Sequence, residues 1–89
     1  MKIKTGFVMR TVMGLNLVSG EGLDKANYTK MVKLNDSAAF LWKEVEGKEF
    51  TVENLADLLK GEYGIDDATA GHDAAVIAAR WKEIGLLED

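Results

Sequence analysis

The sequence predicts an α+β domain of winged-helix-like form: a three-stranded antiparallel β-sheet followed by three α-helices. Three observations carry that expectation. The residues before Asn35 hold three short runs rich in β-branched and aromatic side chains, separated by polar stretches that contain glycine. From Asn35 onward the apolar residues recur at helical spacing, with capping residues ahead of the runs and glycines behind them. The last two helices are joined by the short turn Gly64-Ile65-Asp66, as in a helix-turn-helix pair. Strands grouped ahead of helices, with no alternation, argue for an α+β class and against α/β.

The elements follow in order. Phe7-Val8-Met9-Arg10-Thr11-Val12 reads as the first strand, and Met13-Gly14 as its hairpin turn, because glycine accepts positive φ at no steric cost. Residues 15–18 return as the second strand, and residues 19–27 form a polar loop. Residues 28–34 form the third strand. Tyr28, Val32 and Leu34 share one face, with Lys30 the exception, and Thr29, Met31 and Lys33 share the other. Asn35 then stands where an N-cap belongs, and Asp36 adds negative charge at the positive end of the helix dipole.

The first helix spans residues 36–46 and stops at Gly47. The second is capped by Thr51, runs to Tyr63 and stops at Gly64. Its apolar face is Val52, Leu55, Ala56, Leu59 and Tyr63. The third is capped near Asp66, runs to Ile84 and has the inner stripe Ala70, Ala74, Ile77, Trp81 and Ile84. Gly85 stops it, and Leu86-Leu87 fold back on its last turn.

The 89 residues read as one domain, 1–89, with no repeat, low-complexity tract or dividing linker. There is no cysteine, so disulfides, thiolate metal sites and a thiol nucleophile are excluded, and a reducing cytoplasm fits. Residues 1–6 lead into a strand pattern and not an apolar signal segment. No apolar run approaches the roughly 20 residues of a membrane span, and no membrane partner is expected. A net charge of −4 argues against a nucleic-acid partner.

Catalytic patterns are lacking, and no enzyme activity, cofactor or metal is expected. His72, the only histidine, falls on the polar side of the third helix and lacks ligand-spaced partners. The carboxylate pairs Glu44 and Glu46, Asp66 and Asp67, and Glu88 and Asp89 read as charges at helix ends and on exposed faces. Gly20-Glu21-Gly22 lacks the strand-before, helix-after context of a phosphate loop. Ser37 has no basic neighbour in sequence to activate it. As a DNA-recognition helix, the third helix would present Asp66, Asp67, Asp73 and Glu83 against Arg80 and Lys82. Phosphate would repel it.

An exposed strand edge can instead recognise a polypeptide, because its unpaired N–H and C=O groups accept an added strand. The third helix carries a flank of Asp73, Val76 and Arg80 at i, i+3, i+7, with Ala74, Ala75, Ala78 and Ala79 keeping bulk low around it. Two readings stay open on pattern alone. Either the alanines leave a groove between helix and sheet, or they permit close packing and Arg80 is a solvated charge.

Further motifs bear on that choice. The segment Val32-Lys33-Leu34-Asn35-Asp36-Ser37-Ala38-Ala39-Phe40-Leu41-Trp42 resembles the signature of the PqqD family. Gly47, the run Phe50-Thr51-Val52-Glu53-Asn54-Leu55-Ala56, Glu62-Tyr63 and Ile84-Gly85-Leu86-Leu87 are similar to that family's later motifs, in the same order. The resemblance covers roughly residues 7–88. It implies a non-catalytic domain that binds the leader segment of a ribosomally made precursor peptide and presents it to a modifying enzyme, often a radical S-adenosylmethionine enzyme. It further implies that the leader adds as a strand to the third strand and lies against the third helix. The residues so indicated are Thr29, Lys30, Met31, Val32 and Lys33 on the strand, and Asp73, Val76, Ile77 and Arg80 on the helix. Many relatives carry a bulky apolar residue around Ala78 or Ala79, so a differently shaped groove is expected here. The alternatives are a homodimer that pairs its own strand edges without a peptide ligand, and a DNA-binding winged helix.

Overall fold

Met13 and Gly14 both take positive φ, 52° and 81°, and so turn the chain within two residues between Val12 and Leu15. Positive φ at both central positions matches the right-handed twist of the flanking strands. The hairpin belongs to a computed structural model that describes residues 1–20 and 31–88. Its elements are β1 (Lys2–Ile3), β2 (Phe7–Val12), β3 (Leu15–Gly20), β4 (Met31–Leu34), α1 (Asp36–Val45), α2 (Val52–Tyr63), α3 (Asp67–Ile84) and β5 (Leu87–Glu88). The α+β arrangement of a three-stranded antiparallel sheet followed by three helices is as expected.

The sheet has the order β2-β3-β4. β3 continues to Gly20 instead of ending at Val18, because Ser19 and Gly20 pair with Val8 and Phe7 and so match the full length of β2. Residues 21–30, including the expected strand positions Tyr28, Thr29 and Lys30, lie outside the described residues. From Met31 the expected alternation holds. Val32 and Leu34 turn inward, while Met31 and Lys33 are exposed. Among the described residues β4 has a strand neighbour on one side only. A second, two-stranded pairing joins β1 to β5, with Lys2 opposite Glu88 and Ile3 opposite Leu87. It was not legible in the sequence, since two residues at each end of the chain carry no periodicity.

One residue, Asn35, separates β4 from α1. Its side-chain oxygen accepts from the Ala38 N–H at 2.8 Å, which satisfies one of the donors that a helix start leaves unpaired. Asn16 of β3 reaches over the same joint, its Nδ2 donating to the Leu34 carbonyl at 3.3 Å and to Asp36 Oδ1 at 3.2 Å. α1 ends at Val45, one residue early, with Glu46 as its cap, its N–H donating to the Trp42 carbonyl. α2 opens with a reciprocal capping box between Thr51 and Asn54. α3 is capped by Asp66 and closed by a Schellman motif. There Gly85 N–H donates to the Lys82 carbonyl at 3.1 Å, and Leu86 N–H to the Trp81 carbonyl at 2.9 Å. The expected fold-back of the tail is present, and Leu86 is fully buried.

The core centres on Trp42 and Trp81, packed edge to face at 5.4 Å, with Phe50 against Trp81 at 6.3 Å. Edge-to-face contact aligns the positive ring edge with the negative face of its partner. The buried stripe of α3 is Ala70, Ala74, Ala78 and Trp81. Ile77 and Ile84, expected within it, are half-buried at its margin. The small alanines bring α3 close to α2, and the larger isoleucines stand at the margin of the stripe.

Asp66 caps α3 by accepting from the Thr69 N–H at 2.7 Å, and that hydrogen bond holds its carboxyl below the usual carboxylate range. A depressed folded pKa makes the contribution complete above the unfolded value of about 3.9. The contribution is lost as pH falls through the lower folded value. Chemical denaturation across acid pH should therefore show a loss beginning near pH 4 that Asp66→Asn makes shallower. At neutral pH, Asn35→Ala should lower unfolding free energy by about 1 kcal/mol, read from the denaturant midpoint.

Candidate functional site

Helical geometry divides the surface of α3. At about 100° per residue, Asp73, Val76, Ile77 and Arg80 fall on one flank of the buried stripe, and Ala75 and Lys82 on the other. The β-sheet decides which flank matters. β4 feeds straight into α1, so its end lies beside the Val76 flank. There a cleft of about 350 Å³ is lined by Lys33, Leu34, Asn35, Ala38, Val76, Ile77, Arg80 and Trp81. Leu34, Ala38 and Trp81 are buried and form its floor. Val76 stands on its wall 53% exposed, an apolar side chain left half in water.

A second cleft, of about 450 Å³, adjoins the first and shares Asn35, Val76 and Ile77 with it. Its further lining is Ser37, Leu59, Tyr63, Ile65, His72 and Asp73. It lies beyond the end of β4, where the start of α1, the end of α2 and the first half of α3 converge. Tyr63 was expected on the buried face of α2. Instead it is 45% exposed, with its ring edge-to-face on Phe40 at 6.0 Å. His72 is exposed, as expected, yet stands at the rim of this cleft.

The structure thus gathers Lys33, Val76, Ile77 and Arg80 in one cleft and Asp73 in its neighbour. Met31 is 68% exposed on the outer face of the sheet. Val32 packs against the core, so only its backbone is available at the edge. Thr29 and Lys30 lie outside the described residues. Of the two readings of the alanines, Ala74 and Ala78 follow the close-packing one. Ala74 and Ala78 are buried, and Ala75 and Ala79 line a separate cleft with Met1, Val52, Lys82 and Leu87. They face the wrong flank to shape the groove beside β4. The identity of residues 78 and 79 therefore has no direct bearing on it.

Among the described residues no group of three His, Asp or Glu side chains could hold a metal ion. No described helix is long and apolar enough to cross a membrane. Lys60 pairs with Asp67, whose hydrogen bond and charge raise its pKa. The pair ties the end of α2 to the start of α3 and lies outside both clefts. The exposed charges Asp66, Asp67, Asp73 and Glu83 on α3 oppose a phosphate backbone.

A family profile described as Coenzyme PQQ synthesis protein D (PqqD) matches residues 12–87. The chain belongs to the PqqD family. The match takes in both flanks of the groove, from β4 to α3. This PqqD-family domain is also similar to a solved structure described as "TbiB1 in Complex with the TbiA(beta) Leader Peptide", with a TM-score of 0.75 at 21% identity. The alignment covers 99% of this chain and 95% of that chain. At that identity the likeness concerns the fold. No curated protein matches the chain.

Val76 and Arg80 are exposed and support no part of the core. Arg80→Glu should shift the unfolding free energy by no more than about 0.5 kcal/mol, and Val76→Asp by no more than about 1 kcal/mol, in urea titrations at neutral pH.

Proposed function

We propose that this PqqD-family domain is a non-catalytic peptide-recognition element. It takes the leader segment of a ribosomally made precursor as an added strand on β4 and presents it to a modifying enzyme of the radical S-adenosylmethionine type in the cytoplasm. The observation that carries this reading is the pairing of an edge strand with an apolar cleft on the same side of the molecule. Backbone groups along Thr29, Lys30, Met31, Val32 and Lys33 supply affinity with little regard to sequence. Val76, Ile77 and Arg80, with Asp73 in the adjoining cleft, supply selection by side chain. Family membership supports the same assignment. So does the likeness in fold to a structure described as a complex with a leader peptide.

The physics suits a modest, tunable affinity. Each backbone hydrogen bond contributes about 0.5–1.5 kcal/mol net, since water bonds are exchanged for peptide bonds. A buried Val or Leu side chain adds about 1.5–3 kcal/mol. Met31–Leu34 is already ordered by the sheet and by the Asn35 joint, which lowers the ordering cost of binding.

Titration with the leader half of a short precursor encoded beside this chain tests the proposal. Binding at micromolar concentrations or tighter is expected, with Val76→Asp and Arg80→Glu each weakening it by about tenfold, equivalent to about 1.4 kcal/mol. The backbone amides of β4 should gain protection from hydrogen exchange in the complex. Absence of binding at high micromolar concentration overturns the proposal, and a dilution-stable dimer joined along β4 would replace it with self-pairing.

A further inference from the structure

The two clefts that meet at Val76 and Ile77 differ in charge. The one beside β4 is lined by two cations, Lys33 and Arg80, and no carboxylate. The one beyond the end of β4 is lined by the carboxylate of Asp73, with the His72 imidazole at its rim, and by no lysine or arginine. Among the described residues, none of Lys33, Asp73 and Arg80 takes part in an ion pair within the chain. Glu83, one turn past Arg80, lines neither cleft. The groove therefore has a cationic end and an anionic end, joined by an apolar wall.

We infer that the far cleft is a subsite for a basic side chain, arginine best of all, on the same extended peptide whose acidic side chain meets Lys33 and Arg80. The inference rests on the peptide-binding reading above and gives its ligand a charge order. Leu59, Ile65 and Ile77 offer an apolar floor for the methylene stem of the basic residue. The Tyr63 ring, held on edge by Phe40, offers a face to a guanidinium, and Asp73 offers a carboxylate for its fork. The positive ends of α1 and α3 open near this cleft. Both are already capped, by the Asn35 side chain and the Asp66 carboxylate.

Spacing follows from the geometry. Asp73 and Arg80 are separated along α3 by a rise of about 10 Å. An extended peptide advances about 3.3 Å per residue and repeats its face every second residue. Same-face residues i and i+2 span about 7 Å and residues i and i+4 about 13 Å, so i and i+4, with side chains leaning inward, are the pair that reaches both ends, and residue i+2 lies on the Val76–Ile77 wall. Every strand pair in the sheet is antiparallel. A peptide added in the same sense to β4 enters from the Leu34 end, so the basic residue comes first. The recognised pattern is basic-x-apolar-x-acidic.

Three capped synthetic peptides in a Thr/Ser host test this: one with the core Arg-x-Leu-x-Glu, one with the charges exchanged, and one with Gln at both charged positions. Calorimetry should rank the first at least tenfold tighter than the exchanged peptide, with Gln between them. The triple variant Lys33→Glu, Asp73→Lys, Arg80→Glu should reverse that ranking, an outcome that loss of folding cannot produce. Equal binding of all three, with amide shifts at Lys33 and Val76, overturns the charge order and leaves the peptide groove standing. Binding of none, with no shifts at those residues, overturns the groove and this inference together.

Discussion

The groove exists because Trp81 of α3 packs edge to face on Trp42 of α1. α1 is continuous with β4 through a single residue, so wherever Trp42 stands, the edge strand follows. α3 carries the opposite wall, so wherever Trp81 stands, Val76, Ile77 and Arg80 follow. Trp81 is buried in the core and also lines the cleft, which makes the aromatic contact both spacer and floor. The packing dominates locally. Trp42 Nε1 is buried with no acceptor among the described residues, which costs about 1–3 kcal/mol. Burying about 200 Å² of indole returns roughly 5 kcal/mol at about 25 cal/mol per Å². The ring stays inside despite its unpaired N–H.

The joint at Asn35 carries that position to the strand. Leu34 is anchored in the core, Asn35 caps α1, and Asn16 clamps the far side by donating to both Leu34 and Asp36. Asn16 is itself directed by Thr11 of β2, whose Oγ1 donates to its Oδ1 at 3.0 Å. A chain of side-chain hydrogen bonds thus runs from β2 through β3 to the helix start. A strand edge fixed at three points presents its backbone groups in one geometry. Asn35 also lines both clefts, so the residue that orders the edge lies within reach of whatever fills them.

Much of the fold could be read locally, and what could not was set by long-range contacts. The Met13-Gly14 turn, the caps at Asn35, Thr51 and Asp66, and the Gly64 and Gly85 stops are each decided by a few neighbouring residues. The β1–β5 pairing and the last two residues of β3 depend on partners elsewhere in the chain. The rotational phase of α3 is not legible locally, because alanine fits either a core or a surface. Ala78 replaced Ile77 in the stripe once α2 drew close. The cleft beside β4 was legible as helical spacing next to a strand. The far cleft depends on the convergence of the start of α1, the end of α2 and the first half of α3, and Tyr63 at its side is 45% exposed.

The division of labour between strand and helix follows from these constraints. Of the inward residues of β4, Leu34 is buried in the core and Val32 packs against it, so changes there act first on the fold. The edge offers backbone groups, which any extended peptide satisfies equally well. On the proposed reading discrimination comes mainly from α3, with Lys33 of β4 beside it. The exposed flank of α3 can change charge and size while the Ala70-Ala74-Ala78-Trp81 stripe keeps the helix in place. Val76 is left half in water, and a peptide laid on it as proposed would recover part of that burial on the element free to vary. A helix whose two flanks are so differently constrained can change the peptide it selects without altering the sheet that holds it.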